Sequence, residues 1–242
     1  MGLNKKEMAS YGIGAVGKDM VYMFCASYIL YYYQDILGVS AIAMGIILLA
    51  ARVYDAFNDP IMGVVVAKTR TRWGKFRPWL FIGTLLNAVV LFLMFSAPPT
   101  LDGGGLVAYA AVTYVLWGVT YTMMDIPYWS MIPAFTEGGK ERENMSTMAR
   151  SCAGVGSALV TIITMQCVYM LGKGNEYAGF KWFALICIKG SPFQYGHYAL
   201  AFLFLLMYNT DDDFTKLRRT IWIYTPCGSS FAQKASMTFR CG

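Results

Sequence analysis

Five apolar segments, each long enough to cross a lipid bilayer as a helix, follow one another along this 242-residue chain. Hydrophobic residues make up 57% of the sequence and charged residues only 14%, whereas a soluble domain of this length carries about 25% charged residues. The segments lie at about residues 10–33, 40–66, 78–97, 106–129 and 145–171, and Lys18 and Asp19 interrupt the first. The sequence therefore predicts an all-α polytopic membrane protein.

A sixth apolar segment begins near residue 180, but the sequence changes character after Ile186. The stretch that follows Pro192, residues 195–208, is too short to cross a bilayer by itself. The two pieces could form one helix with a kink at Pro192. We therefore expect a membrane bundle over residues 1–186 and an anomalous segment over residues 187–242, of the kind that a frameshift or a truncated gene produces.

The basic residues of the chain cluster in short connections between the apolar segments. The formal net charge is +6, and five Lys or Arg residues fall between positions 68 and 77, whereas the turns after the first and third segments carry none. Positive loops of this kind face the cytoplasm, so we expect a cytoplasmic N-terminus and no nucleic-acid partner. The six cysteines show no Cys-x-x-Cys spacing and no accompanying His cluster, so we expect neither a disulfide nor a zinc site, and no cofactor.

Two carboxylates, Asp55 and Asp59, lie inside the second apolar segment. They are four residues apart, so a helix places both on one face, one turn apart. An ionised Asp at the bilayer centre costs about 2.5–3.5 kcal/mol on insertion scales, and such residues usually mark an ion or proton site. A structural alternative is an ion pair of Asp55 with Arg52 or Lys18.

Five motifs carry a resemblance to a known family. Residues 17–19, 31–35, 52–63, 72–79 and 117–130 read GKD, YYYQD, RVYDAFNDPIMG, RWGKFRPW and WGVTYTMMDIPYWS. In this order they resemble the glycoside–pentoside–hexuronide:cation symporters, the melibiose-permease branch of the major facilitator superfamily. The resemblance covers about residues 4–186.

That resemblance implies the N-terminal six-helix half of a major facilitator fold, because family members have twelve helices in two halves. It also implies symport of a glycoside, pentoside or hexuronide with Na⁺, Li⁺ or H⁺ across the bacterial inner membrane. The implied partners are the sugar, the monovalent cation, the lipid bilayer and a second half-carrier. No enzymatic motif accompanies these features, and the alternative is a non-transporting or frameshifted half-carrier.

The resemblance also implies two sets of site residues. The cation-binding set comprises Asp19, Asp55, Asn58, Asp59 and Thr122, with Asp55 and Asp59 as the carboxylate ligands of Na⁺ or Li⁺. The sugar-binding set comprises Lys18, Asp19, Tyr121, Asp125, Trp129 and Arg150.

Both sets suit their ligands chemically. Small cations bind several hard oxygen donors, and a proton could replace them on a carboxylate. A sugar hydroxyl is well met by the Asp125 carboxylate and the Arg150 guanidinium, while the Trp129 indole stacks on the ring. Tyr121, Asp125 and Trp129 share one helical face because each is one turn from the next. Two structural alternatives remain: an Asp125–Arg150 ion pair between helices, and Lys18 neutralising its neighbour Asp19.

Overall fold

The computed structural model describes residues 5–189 except residues 73, 99 and 137. The expected kink at Pro192 and nearly all of the segment predicted over residues 187–242 lie outside the described residues. The described part of the chain is helical and contains no strand. The helices are α1 (Lys5–Tyr31), a π-helical turn (Tyr32–Ile36), α2 (Ala41–Lys68), α3 (Arg77–Met94), α4 (Gly103–Phe135), α5 (Gly139–Gly172) and α6 (Glu176–Lys189).

Helices α1 to α5 are long and apolar enough to cross a membrane, which agrees with the five predicted segments. Their ends differ from the prediction. Helix α4 continues through Pro127 and Pro133, and α5 begins at Gly139 rather than at residue 145. The first turns of α5 carry Lys140, Glu141 and Arg142. Hydropathy identifies only the part of a helix that crosses the hydrocarbon, so it does not predict charged helical turns beyond that part.

The expected interruption of the first segment is also wrong, because α1 runs unbroken past Lys18 and Asp19. Both side chains have partners on other helices. Lys18 pairs with Asp125 of α4, and Asp19 accepts a hydrogen bond from Ser157 of α5. The two charges therefore add no break to the helix and instead connect it to its neighbours.

The helices pack as two groups in the described bundle. Helix α1 lies along α5, which in turn contacts α6, whereas α4 lies along α2 and α3. Glycines permit the closest approaches. A methyl group at Gly156 of α5 would stand 2.5 Å from the carbonyl oxygen of Val16 on α1, and one at Gly83 of α3 would stand 3.0 Å from the backbone nitrogen of Met124 on α4. Small residues at these points let the backbones touch.

Tyrosine hydroxyls secure the C-terminal end of α3, where a helix leaves its last carbonyl groups without partners. The donors come from the chain around the π-helical turn, from α4 and from α6. The bonds are Tyr32 to the carbonyl of Phe95 at 2.9 Å, Tyr33 to that of Met94 at 3.0 Å, Tyr109 to that of Leu93 at 2.6 Å and Tyr177 to that of Ala97 at 2.8 Å. This end of the bundle is therefore joined by side-chain donors from three directions.

The contact between α1 and α5 predicts different outcomes for two glycines of α5. Gly156→Ala should lower the free energy of unfolding by about 1–3 kcal/mol, because its methyl group meets the Val16 carbonyl and the helices must move apart. Gly154 has open space around its Cβ position, so Gly154→Ala should be neutral or stabilise α5 by up to about 1 kcal/mol. Thermal unfolding of the two purified variants in detergent measures the difference, and equal midpoints would contradict this packing.

Candidate functional site: a polar centre between α1, α4 and α5

An ion pair between Lys18 and Asp125 joins α1 to α4 within their apolar spans. The Lys18 side chain is only 2% exposed, whereas Asp125 is 29% exposed. Lys18 also donates a hydrogen bond of 2.9 Å from Nζ to the hydroxyl of Tyr121. A buried ammonium is costly without an opposite charge and acceptors, so Asp125 and Tyr121 together make this position tenable.

Aromatic rings surround the Lys18 ammonium. Its Nζ lies 5.2 Å from the ring centre of Tyr121, 5.6 Å from that of Tyr128 and 5.3 Å from that of Trp129. These distances are within the range at which a ring face attracts a cation. All three rings belong to α4, so one helix supplies both the counter-charge and the aromatic surroundings of Lys18.

The two oxygens of Asp125 differ in their surroundings. Its Oδ1 accepts hydrogen bonds from the Tyr121 hydroxyl at 3.3 Å and from the Trp129 indole at 3.1 Å, in addition to that from Lys18. Within the described residues, Oδ2 accepts none. The prediction that Tyr121, Asp125 and Trp129 share a face is confirmed by these contacts. One oxygen of the Asp125 carboxylate thus carries the three bonds from protein donors.

Arg150 lies beside this centre without pairing with Asp125. It is exposed, and its guanidinium carbon is 5.2 Å from the ring centre of Trp129. The carboxylate is instead paired with Lys18, so the expected alternative of an Asp125–Arg150 ion pair is not the arrangement in the structure. An acceptor oxygen, an indole and an exposed guanidinium together suit a ligand with hydroxyl groups and an apolar ring face.

The two carboxylates of α2 lie against α4. The hydroxyl of Thr122 donates a hydrogen bond of 3.1 Å to Oδ1 of Asp59. Gly118 leaves room for Asp55, since a methyl group there would stand 3.1 Å from its Oδ1. On the other side, Nη1 of Arg52 is 3.7 Å from Oδ2 of Asp55, with Arg52 59% exposed. That pair is the structural alternative considered for Asp55, and an exposed pair of this kind contributes at most about 1 kcal/mol.

Asn58 is the third polar side chain of this α2 face. Its Nδ2 is buried and has no hydrogen-bond partner among the described residues. A buried amide without a partner is unusual. Rotation of the amide would exchange its nitrogen for its oxygen, so the same position can offer either a donor or an acceptor. Asp55, Asn58, Asp59 and Thr122 thus place oxygen atoms around the contact of α2 with α4.

Asp19 belongs to a different contact. Its Oδ2 accepts a hydrogen bond of 2.5 Å from the Ser157 hydroxyl on α5. The idea that Lys18 neutralises Asp19 does not hold, because consecutive helical residues do not face each other and Lys18 turns to Asp125. Among the described residues, no three His, Cys, Asp or Glu side chains are gathered closely enough to hold a metal ion. Asp19 therefore does not join Asp55 and Asp59 in one three-carboxylate group in this conformation.

Ser157 was missed by the sequence reasoning. The sequence does contain an indication of its role. Ser157 follows Arg150 by seven residues, close to two helical turns, so both residues lie on one face of α5. A hydroxyl on the face that carries a predicted site residue was a candidate partner for a charged neighbour.

Comparison with known proteins shows the family of the chain. The sequence model of the family described as MFS/sugar transport protein matches residues 10–189. The chain belongs to this family. Its members are transporters of the major facilitator superfamily, so the chain is a multi-pass membrane protein of a transporter family and not an enzyme. The resemblance to the glycoside–pentoside–hexuronide:cation symporters is thereby confirmed.

Several relatives can be aligned with the chain. YagG of Escherichia coli, which carries the provisional name of a glycoside/cation symporter, is 36% identical over 188 residues, which are 78% of this chain and 40% of YagG. The inner membrane symporter YicJ of E. coli is 35% identical over 74% of this chain and 39% of its own length. The isoprimeverose transporter of Lactiplantibacillus pentosus is 29% identical over 85% of this chain and 42% of its own length. The chain therefore spans about two fifths of the length of these relatives.

Because Lys18 is more deeply buried than Asp125, we expect the two single substitutions of a double-mutant cycle to lower stability by different amounts. Asp125→Leu should lower the free energy of unfolding by about 3–5 kcal/mol, because it leaves the Lys18 charge buried and unpaired. Lys18→Met should cost less, since Asp125 is partly exposed and keeps its bonds from Tyr121 and Trp129. The double variant should recover most of the loss, because an apolar pair replaces the ion pair.

Thermal or denaturant unfolding of the purified proteins measures the cycle. Arg52→Met is the matched control, because it removes an exposed partner of a carboxylate and should change the stability by less than about 1 kcal/mol. Additive losses in the Lys18→Met/Asp125→Leu variant would contradict the pairing.

Proposed function

We propose that this chain binds a glycoside, pentoside or hexuronide at the polar centre and takes part in its transport with a monovalent cation. The observation that carries the proposal is the state of Asp125, whose Oδ1 is saturated by protein donors while Oδ2 is left for a ligand beside Trp129 and Arg150. Family membership supports it, as does the relative named for isoprimeverose.

In this proposal each group of the sugar site has a separate task. A sugar hydroxyl donates to Oδ2 of Asp125, and the Arg150 guanidinium donates to ring or hydroxyl oxygens. The Trp129 indole stacks on the apolar face of the sugar ring. Lys18 and Tyr121 hold the carboxylate in place from the buried side, since both already bond to Oδ1 or to each other. Asp19, adjacent to Lys18, is proposed as a contact of both the sugar and the cation.

The proposed cation is Na⁺, Li⁺ or H⁺, bound at Asp55 and Asp59 with oxygens of Asn58 and Thr122. Hard oxygen donors suit these ions, and a proton can occupy a carboxylate instead. The exposed Arg52 contact of Asp55 is weak enough for a cation to replace it. Coupling is supported by position, because Thr122 precedes Asp125 by three residues on the same side of α4. Occupation of the cation site would then shift α4 and change the affinity for sugar. Binding of the sugar would change the affinity for the cation by the same factor.

We place the chain in the bacterial inner membrane with a cytoplasmic N-terminus, because the short α2–α3 connection is rich in Lys and Arg. Alternating access needs two bodies that move against each other. The second body would be another six-helix half, and the exposed apolar side chains of α2, such as Ile46 at 62% and Phe57 at 68%, support a partner or lipid on that face. The relatives extend well beyond the two fifths that this chain spans.

The sugar site predicts selective loss of binding. Arg150→Gln should weaken sugar binding about tenfold, because one charge-assisted hydrogen bond contributes roughly 1.5 kcal/mol or more. Stability should hardly change, since Arg150 is exposed. Calorimetric titration of the purified chain with isoprimeverose, methyl xyloside and methyl glucuronide in Na⁺ measures this, with Lys181→Gln on α6 as an exposed, charge-matched control. A chain that inserts correctly and binds none of the three sugars would contradict the proposal.

The cation site predicts a loss of coupling rather than of sugar binding. Asp55→Cys should make the sugar affinity the same in Na⁺, Li⁺ and choline buffers, because the carboxylate that favours the cation is gone, while membrane insertion remains intact. Asp102→Asn, which removes an exposed carboxylate in the turn before α4, should keep the cation dependence of the unmodified chain. If Asp55→Cys retained that dependence, the cation assignment would be refuted.

A further inference from the structure

Side chains rather than backbone contacts join α1 to α4. Helix α1 packs along α5, and α4 packs along α2 and α3, whereas the described backbones of α1 and α4 barely approach each other. The contact between them is made by three sets of side chains in succession along the helices. These are Tyr11 with Tyr128, Lys18 with Tyr121 and Asp125, and Tyr22 with Trp117 and Tyr121. The sugar site of the proposed function therefore lies on this side-chain seam.

The first of these contacts is a reciprocal pair. The hydroxyl of Tyr11 donates a 2.8 Å hydrogen bond to the carbonyl oxygen of Tyr128, and the hydroxyl of Tyr128 donates a 2.7 Å hydrogen bond to the carbonyl oxygen of Tyr11. The two rings are stacked, with centres 4.5 Å apart and planes 12° apart. Both residues are buried, at 3% and 7% exposure.

Such a pair fixes the register of two helices as well as their separation. Each ring is anchored to the backbone of the opposite helix, so both bonds lengthen together when one helix slides along the other. A shift by one residue is about 1.5 Å, which exceeds the tolerance of a hydrogen bond. Stacking of the two rings also resists separation of the helices.

The reciprocal pair is directly connected to the polar centre. Tyr128 follows Asp125 by three residues on α4, and its ring lies 5.6 Å from Nζ of Lys18 and 5.6 Å from the ring of Trp129. On α1, Lys18 follows Tyr11 by seven residues, close to two helical turns, so both side chains face α4. The register that the tyrosines set is therefore the register in which Lys18 reaches Asp125.

We propose that Tyr11 and Tyr128 are positioning residues of the sugar site: their reciprocal hydrogen bonds hold α1 and α4 in the register that places Lys18 on Oδ1 of Asp125. The claim that this register serves a sugar site rests on the proposed function, whereas the claim that the two tyrosines hold the register does not. Loss of either hydroxyl lets the helices slide, so that Lys18 no longer keeps Asp125 turned towards the ligand. Four proposed cation ligands, Asp55, Asn58, Asp59 and Thr122, belong to α2 and α4 and keep their geometry when α1 slides.

Tyrosine-to-phenylalanine variants test the pair while keeping the rings. Tyr11→Phe and Tyr128→Phe should each raise the dissociation constant of the best-binding probe sugar, among isoprimeverose, methyl xyloside and methyl glucuronide, by about three- to tenfold, the range expected for one hydrogen bond. The dissociation constant of Na⁺ without sugar should change less than that of the sugar, because four of the five proposed cation ligands lie on α2 and α4. The Tyr11→Phe/Tyr128→Phe variant should lose less than the product of the two single effects, because either change already frees the register.

Tyr28→Phe is the matched control. Tyr28 also lies on α1 and donates a 2.8 Å hydrogen bond to a backbone carbonyl, that of Thr161, but on α5. Tyr28→Phe should leave the affinity for sugar unchanged. Sugar affinities of Tyr11→Phe and Tyr128→Phe equal to that of the unmodified chain, or equal losses of sugar and Na⁺ affinity, would overturn the proposal.

Hydrogen–deuterium exchange separates this inference from the proposed function. Tyr11→Phe should accelerate amide exchange around residues 125–132 of α4, and Tyr128→Phe around residues 11–18 of α1, whereas Tyr28→Phe should not affect α4. This pattern in a chain that binds no sugar would refute the proposed function and support the register. If exchange rates in both segments matched those of the unmodified chain, the proposal that Tyr11 and Tyr128 hold the register would be overturned, whether or not sugar affinity changed.

Discussion

The buried ion pair between Lys18 and Asp125 is the interaction on which the arrangement of the bundle depends. Helix α1 carries a lysine with 2% exposure through an apolar span, and such a charge is tolerable only with a counter-charge and acceptors at contact distance. Asp125 and Tyr121 supply both, and the rings of α4 complete the surroundings. Helix α1 must therefore face α4 at this level, and Arg150 of α5 lies beside the same centre, against Trp129.

Around this pair, the bundle combines tight and loose contacts. Glycines bring α1 against α5 and α3 against α4 until backbones touch, while side chains link α1 to α4, two of them by bonding to a backbone carbonyl of the opposite helix. A contact made of a few hydrogen bonds and rings holds the register while it is intact, and loss of one bond can free the register without repacking a whole helix face. Such a contact suits a site that must influence neighbouring helices, and in the proposed function Asp125 of the sugar site and Thr122 of the cation site both lie on α4.

The sequence predicted the parts of this arrangement that depend on local geometry. Five membrane spans followed from apolar length, and the common face of Tyr121, Asp125 and Trp129 followed from their one-turn spacing. The choice of partners did not follow. Lys18 meets a carboxylate 107 positions away rather than its neighbour Asp19, and Asp19 meets Ser157 across 138 positions. Such choices depend on which helices pack against each other, and neither hydropathy nor one-turn spacing reports that.

The intrinsic fluorescence of Trp129 tests most directly whether the polar centre around Asp125 is a sugar site. Its indole already bonds to Asp125 and lies beside Arg150, so a sugar bound there must change its surroundings. Titration of the purified chain with a probe sugar in Na⁺ should give a saturable change in emission that is absent from Trp129→Phe. A saturable change of the same amplitude and midpoint in Trp129→Phe would contradict the account, because the sugar would then bind elsewhere.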